Sequence, residues 1–272
     1  MRMVYTFILL SLGFGNSASS NNVKIVNEVF ELKFSYLNEI PKGPLLKNFN
    51  IGFCGNRIIE PKTVNGIDIG KNGWRVLSEK SIGPFDFVSF AGEFKDGLSS
   101  ACIIRQGNVA ISKAGELFGV IYTNSKDDEL IGRLSIAEGG VVQILSSSSS
   151  PWADIKILKN QIKIENKASI QSFCSGSVIV PNIIGEQIGG ARKSLIEFSW
   201  EPIVQTQEVV LSFVETMRES GLVETIDCGG TGMGYCSFEY ENPIAKLWVQ
   251  SSGDENRVLN HSVSCKQKLD HS

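Results

Sequence analysis

The chain has 272 residues and a formal net charge of -3, with 42% apolar and 20% charged residues, the balance of a folded protein rather than a disordered or fibrous one. Without a basic surplus it lacks the field that nucleic acid or an anionic membrane would require. Its only histidines, His261 and His271, both fall in the last dozen residues, which excludes a chain-spanning histidine triad or a multi-histidine metal site.

Residues 1–20 begin with a basic Met-Arg-Met, continue through an apolar run from Val4 to Phe14, and end in the small residues Gly15 to Ser20. That order predicts a secretory signal peptide, cut after Ser19 or Ser20. The run is shorter than the ~20 apolar residues needed to cross a bilayer, so no transmembrane anchor is expected after cleavage. No cysteine stands near the cut, which closes the lipoprotein route.

From 21 to 168 short β-branched and aromatic runs alternate with Gly, Asn and Asp, the pattern of an all-β domain, sandwich or barrel, with no helical periodicity. Strands are predicted over 26–34, 50–54, 74–78, 85–94, 101–105, 117–123, 130–137, 141–145, 155–158 and 161–165. Ile155-Lys-Ile157 and Ile162-Lys-Ile164 alternate around Lys159-Asn160, predicting a hairpin with isoleucines inward and lysines in water. Ser146 to Ser150 reads as an exposed loop, with O-glycosylation or ligand binding as its functional alternatives. Asp127-Asp128-Glu129 reads as a charged hairpin tip, the alternative being a cation or acid-base site.

The texture changes after Ser169, and 169–272 is predicted to form a smaller α+β domain. A helix is expected over 187–198, with Ile188, Ala191, Leu195 and Phe198 on one stripe. In a second helix Thr206 caps, Glu208 occupies the first turn, Val210, Phe213, Val214 and Met217 form the stripe, and Gly221 supplies the stop. Strands are expected at 222–226, 235–240, 245–250 and 257–264. All six cysteines, Cys54, Cys102, Cys174, Cys228, Cys236 and Cys265, lie beyond residue 20, and an even number in an exported chain points to three disulfides. Grouping by region pairs Cys54 with Cys102, Cys174 with Cys265 and Cys228 with Cys236. The two long closures are worth on the order of 3 to 4 kcal/mol each in the chain-entropy model, the short one less. No Cys-x-x-Cys occurs, which argues against zinc.

The stretch Val180-Pro181-Asn-Ile-Ile-Gly185, followed by Ala191, Leu195 and Trp200-x-Pro202, resembles the opening of PASTA domains, small modules of bacterial cell-wall kinases and penicillin-binding proteins. In that pattern Pro ends an extended entry, Gly permits the turn, and Ala and Leu pack a helix on a sheet. The resemblance covers about 25 residues and carries no catalytic group. It implies placement in the cell envelope and recognition of peptidoglycan fragments, or a spacer or protein-contact role. A second helix and the segment Cys228-Gly-Gly-Thr-Gly-Met-Gly-Tyr-Cys236 depart from the family pattern; with Trp200-x-Pro, that segment is similar to a group of exported bacterial proteins.

No catalytic, cofactor or metal site is nominated. Gly229 to Gly234 can form an anion-binding nest, but a dinucleotide loop needs a following helix where a strand is expected; a disulfide-closed turn with several positive-φ residues is the simpler reading. Cys174-Ser-Gly-Ser177 lacks the nucleophile elbow. Trp74 and Trp152 adjoin turn residues and are the candidate displayed aromatics, with core packing as the alternative, whereas Trp200 and Trp248 are expected to pack in the second domain. Asn260-His261-Ser262 is a glycosylation acceptor only in a eukaryotic host. These features predict a periplasmic or secreted envelope protein that binds or scaffolds, with peptidoglycan or an envelope protein as partner. The alternatives are a secreted hydrolase with a carboxylate-based site, or an inhibitor or accessory subunit presenting Met233 and Tyr235. A hydrolase requires a deep cleft with convergent carboxylates, a glycan binder an aromatic-lined groove, and an inhibitor a protruding rigid loop.

Overall fold

The fold is described from a computed structural model covering residues 23–44, 52–97, 101–125, 128–159, 161–207, 212–230 and 232–266. The predicted signal segment, Asn50, Asp127, Asn160, Glu208, Val210, Thr231 and His271 lie outside the described residues. Strand makes up 49% and helix 14%, so the chain is predominantly β.

Two five-stranded sheets dominate the first half. One has the order β1 (Lys24–Asn27), β10 (Gln161–Asn166), β9 (Pro151–Leu158), β8 (Val141–Leu145), β7 (Leu134–Ala137). The other runs β2 (Leu32–Tyr36), β6 (Glu116–Thr123), β5 (Cys102–Lys113), β4 (Phe85–Asp96), β3 (Arg75–Ile82). They share a core in which Leu32, Phe87, Val109, Ile111 and Ile121 of one face Ile144, Ile155, Ile162 and Ile164 of the other, the sandwich arrangement that period-two alternation requires. Buried serines stitch the β3–β7 edge: Ser78 and Ser89 lie opposite each other, their hydroxyls 2.7 Å apart, and Ser78 Oγ accepts from Leu134 N at 2.7 Å.

The β9–β10 hairpin has the expected register, Ile155 against Ile164 and Ile157 against Ile162, with Lys156 opposite Lys163. Two like charges facing across a ladder are unfavourable; Glu165 pairs with both lysines and Glu28 with Lys163. Lys156 and then Lys163 hold the Glu165 carboxyl below the usual carboxylate range.

Several local expectations are corrected. Helix does occur in the first half, as a 3-10 helix over Gly52–Arg57 and as α1 (Val64–Lys71). The first replaces the described part of the strand expected at 50–54. The signal for α1 is its cap, since Thr63 Oγ1 accepts from Gly66 N at 3.0 Å; two glycines and three β-branched residues mask any propensity. Glu79 anchors the cap, accepting from Lys62 N, Thr63 N and Thr63 Oγ1. Burial pushes its carboxyl up, but these hydrogen bonds outweigh that and leave it below its ordinary value.

The serine run is not an exposed loop. Ser147 and Ser150 are buried, and Ser147 Oγ accepts from Ile104 N at 2.8 Å and donates to Cys102 O at 2.9 Å. Small hydroxyl side chains suit this role because they satisfy backbone groups at a crowded sheet end. Nor are Asp128 and Glu129 a hairpin tip: they lie between β6 and β7, which belong to different sheets. The strand expected from Leu130 starts only at Leu134.

In the second half β11 (Ile170–Phe173) pairs with β12 (Val178–Pro181). A second sheet runs β13 (Glu201–Pro202), β15 (Cys236–Asn242), β16 (Ala245–Ser252), β17 (Arg257–Cys265), with β14 (Thr225–Cys228) beside β15. Helices α2 (Ile188–Glu197) and α3 (Ser212–Glu219) contribute Ile188, Ala191, Leu195, Val214 and Met217 to a core shared with Trp200, Phe238, Tyr240 and Leu247. Gly185 takes φ +83° before α2, the positive-φ role that suits glycine. Phe198 and Phe213 of the predicted stripes are exposed. Trp200 is buried, its indole N–H donating to Ile179 O at 2.9 Å; Trp248, expected to pack, is 37% exposed because it sits on the outward parity of β16. All three disulfides have the expected partners, Cys54–Cys102, Cys174–Cys265 and Cys228–Cys236. Among the described residues no helix is long and apolar enough to cross a membrane.

Candidate functional site

The outer face of the β7–β10 sheet carries the polar half of the strand alternation. Register aligns Ser135 with Gln143, Gln143 with Asp154, and Asp154 with Glu165, which places one polar side chain per strand in a row across four strands. The first three are linked: Ser135 Oγ donates to Gln143 Oε1 at 3.3 Å, and Gln143 Nε2 to Asp154 Oδ1 at 3.2 Å. Asp154 Oδ2 accepts from Ala168 N at 3.1 Å. Asp154 is only 3% exposed, and this row is what makes a buried carboxylate tenable.

Ser135, Gln143 and Asp154 line a cleft of about 640 Å³, with Lys156, Glu138 and Pro151 nearby and a facing wall from Ile170–Phe173 and Asn260–Val263. That volume lies in the range of small-ligand sites. The wall is formed by β11 and β17, and the Cys174–Cys265 bridge ties the residue after β11 to the last residue of β17. Inside the wall the Phe173 and His261 rings meet edge-on, centroids 6.1 Å apart. The donors and acceptors, flanked by Ile136, Val141, Ile170 and Val263, suit a polar, extended ligand with apolar edges.

Two buried side-chain atoms lack partners close to this cleft, one on the lining residue His261 and one on Lys167, which precedes the lining residue Ala168. Lys167 is 8% exposed, and among the described residues its Nζ has no hydrogen-bond partner; neither has the buried Nδ1 of His261. Burial lowers the Lys167 ammonium to about 8, with Asp154 opposing the shift. Burial, and then the charge of Lys167, lower the His261 imidazole to about 3. Lys167 thus feels the charge of Asp154, and His261 that of Lys167, while Lys167 Nζ makes no hydrogen bond to Asp154.

Of the residues nominated from sequence as ligand-binding, Trp74, Trp152, Met233 and Tyr235 do not line this cleft, whereas Ser149 of the serine run does. Trp74 packs edge-on against Phe90 at 5.2 Å and donates its indole N–H to Pro41 O at 2.8 Å. Trp152 borders the sandwich core and donates to Leu130 O. Met233 and Tyr235 sit half-buried in the Cys228–Cys236 loop, where Met233 O accepts from Gly253 N at 2.8 Å and Tyr235 O from Gly229 N at 2.7 Å. Gly234 has φ +53°, whereas Gly230 has no positive φ. Sequence reading missed Ser135, Gln143 and Asp154 and gave His261 no ligand-binding role. The available signal was strand parity: Asp154 falls opposite to the inward Ile155 and in register with Gln143.

Comparison with protein-family models, curated proteins and solved structures gives no match to this chain. The functional reading therefore rests on the cleft itself. Among the described residues no group of three or more His, Cys, Asp or Glu side chains gathers in a manner that could hold a metal ion.

Proposed function

We propose that this chain is an exported cell-envelope binding protein, periplasmic or secreted, whose cleft takes up a polar stretch of peptidoglycan. In this reading a β-rich domain over 21–168 supplies the floor and a PASTA-like α+β domain over 169–272 supplies the wall. The observation that carries it is the linked row Ser135–Gln143–Asp154 on the cleft floor. At strand spacing this row extends roughly 10 Å, and it alternates donors and acceptors, as recognition of hydroxyls and amides requires. Three disulfides fit an oxidising compartment.

The hydrolase reading is weaker, because Asp154 is held on the cleft floor by Gln143 Nε2 and Ala168 N in the manner of a structural carboxylate. The inhibitor reading is weaker because Met233 and Tyr235 are half-buried rather than protruding. The test is co-sedimentation of the mature protein with purified sacculi. Ser262 is exposed and lines the cleft, so Ser262→Trp obstructs it without touching the core. Retention of the wild type with at least a tenfold loss in Ser262→Trp is expected; equal behaviour of the two, or no retention of either, would refute the proposal.

A further inference from the structure

The strands around the cleft meet it in two ways. Successive side chains of a strand point to opposite faces, so a strand that turns its face to a cleft contributes every second residue. The floor does so: β8 contributes Val141, Gln143 and Leu145, and β9 contributes Asp154, Lys156 and, beyond the register shift at Ile144/Leu145, Pro151. Three other strands contribute unbroken runs, 135–137 of β7, 170–173 of β11 and 260–263 of β17. An unbroken run lines a cleft when the strand stands edge-on, with its main chain toward the space. Each of these three is a terminal strand of its sheet.

The pairing shows which main-chain groups are left over. In an antiparallel pair the N–H and C=O of alternate residues face the partner strand, and those of the others face away. In β11 Asn182 N donates to Ser169 O, so the main chain of Gln171 and Phe173 faces β12 and that of Ile170 and Ser172 faces away. The same parity holds on β12, where Ile179, opposite Ser172, turns its carbonyl outward to the Trp200 indole. In β17 Lys266 N donates to Ile244 O, so Val263 turns its main chain away from β16. Val258 exchanges hydrogen bonds with Gly185 and Glu186 and closes that edge further along.

We infer that the cleft takes the peptide part of peptidoglycan in extended form, its main chain adding as a strand to the free edge of β11 at Ile170 and Ser172. This rests on the cleft being the binding site and on its ligand being peptidoglycan. An extended peptide matches the edge because its own N–H and C=O groups recur every two residues, about 6.7 Å, as do those of Ile170 and Ser172. A glycan calls for aromatic rings free to lie along the sugars, whereas the Phe173 and His261 rings are turned edge-on to one another.

The mature protein is titrated in a calorimeter with an acetylated stem tetrapeptide free of sugar, with its singly N-methylated analogues, and with N-acetylated chitotetraose as a glycan free of peptide. The tetrapeptide is expected to bind at least tenfold more tightly than the glycan. N-methylation should weaken it at least tenfold at some amides and spare others, since a strand turns only alternate amides to an edge. On the protein side Ser172 is exposed and its N–H faces away from β12, so Ser172→Pro removes no ladder bond. That variant should keep the wild-type circular dichroism and bind the tetrapeptide at least tenfold more weakly. The inference is wrong if the tetrapeptide binds no more tightly than the glycan, if methylation weakens every amide equally or none, or if folded Ser172→Pro binds as the wild type does. The methylated peptides leave the protein unaltered, so they decide the matter even where Ser172→Pro does not fold. Binding of chitotetraose alone, lost in Ser262→Trp, would refute strand addition while the cleft survives.

Discussion

Two buried polar clusters, one in each half of the chain, are built on opposite terms. In the second half Glu224 is fully buried, and one of its oxygens accepts from Arg192 Nε at 3.0 Å and from Tyr240 O–H at 2.8 Å. Burial, and then the charge of Glu224, raise the Tyr240 hydroxyl far above its ordinary range, so it stays a donor. Charge meets charge within the chain, and the cluster joins α2 to β15. Near the cleft Lys167 is also buried, 8% exposed, and its ammonium has no hydrogen-bond partner among the described residues. The comparison sets a buried charge met at contact distance by an opposite charge, with Glu224 Oε2 left unpartnered, against a buried charge that has no such contact.

Substitutions that break each cluster should therefore act in opposite senses. The largest effect belongs to the bridge that holds the cleft wall: replacing Cys174 and Cys265 by serine removes a closure of sequence separation 91. It should cost about 4 kcal/mol in denaturant unfolding, together with faster hydrogen exchange in β11 and β17. Glu224→Ala leaves Arg192 and Tyr240 without their acceptor and should cost about 3 kcal/mol by the same measurement.

Lys167→Met has the reverse sign. It removes a buried cation whose ammonium has no hydrogen-bond partner among the described residues and should raise stability by about 1 to 2 kcal/mol at neutral pH. That gain has a pH signature. Because the folded-state value of Lys167 is lowered from 10.5 to about 8, the unfolded state holds more protons between those limits. Wild-type stability should climb with pH across that window and the advantage of Lys167→Met should shrink. His261 works lower on the scale: lowered from 6.5 to about 3, it makes stability fall as pH drops through that interval, and His261→Gln should flatten the fall in an acid-unfolding series. The smallest change is Ser78→Ala, which removes the acceptor of Leu134 N and one of two paired buried hydroxyls; about 1 kcal/mol is expected from thermal unfolding.

Strands with strict alternation were legible in the sequence because their side chains report local parity. Ile155, Ile157, Ile162 and Ile164 fixed the β9–β10 hairpin, and the regional grouping of cysteines was enough to pair them. Elements held by distant partners were not legible. The start of α1 depends on Glu79, a residue of β3, and the serine run owes its burial to backbone groups of β5. The site is the extreme case: Ser135, Gln143 and Asp154 stand on three strands, while Asp154 and His261 are more than a hundred residues apart in sequence. Only strand register and the folding of β17 against the outer face bring them to one place, so no local motif marks them.

The central claim is that a ligand enters between the polar row and the β11–β17 wall. Hydrogen–deuterium exchange of the mature protein, with and without soluble peptidoglycan fragments, tests it most directly. Slowed exchange at 141–145, 151–158, 170–173 and 260–263 is the expected result. Unchanged exchange in all four segments, or protection confined to the Cys228–Cys236 loop or the surroundings of Trp74, would contradict it.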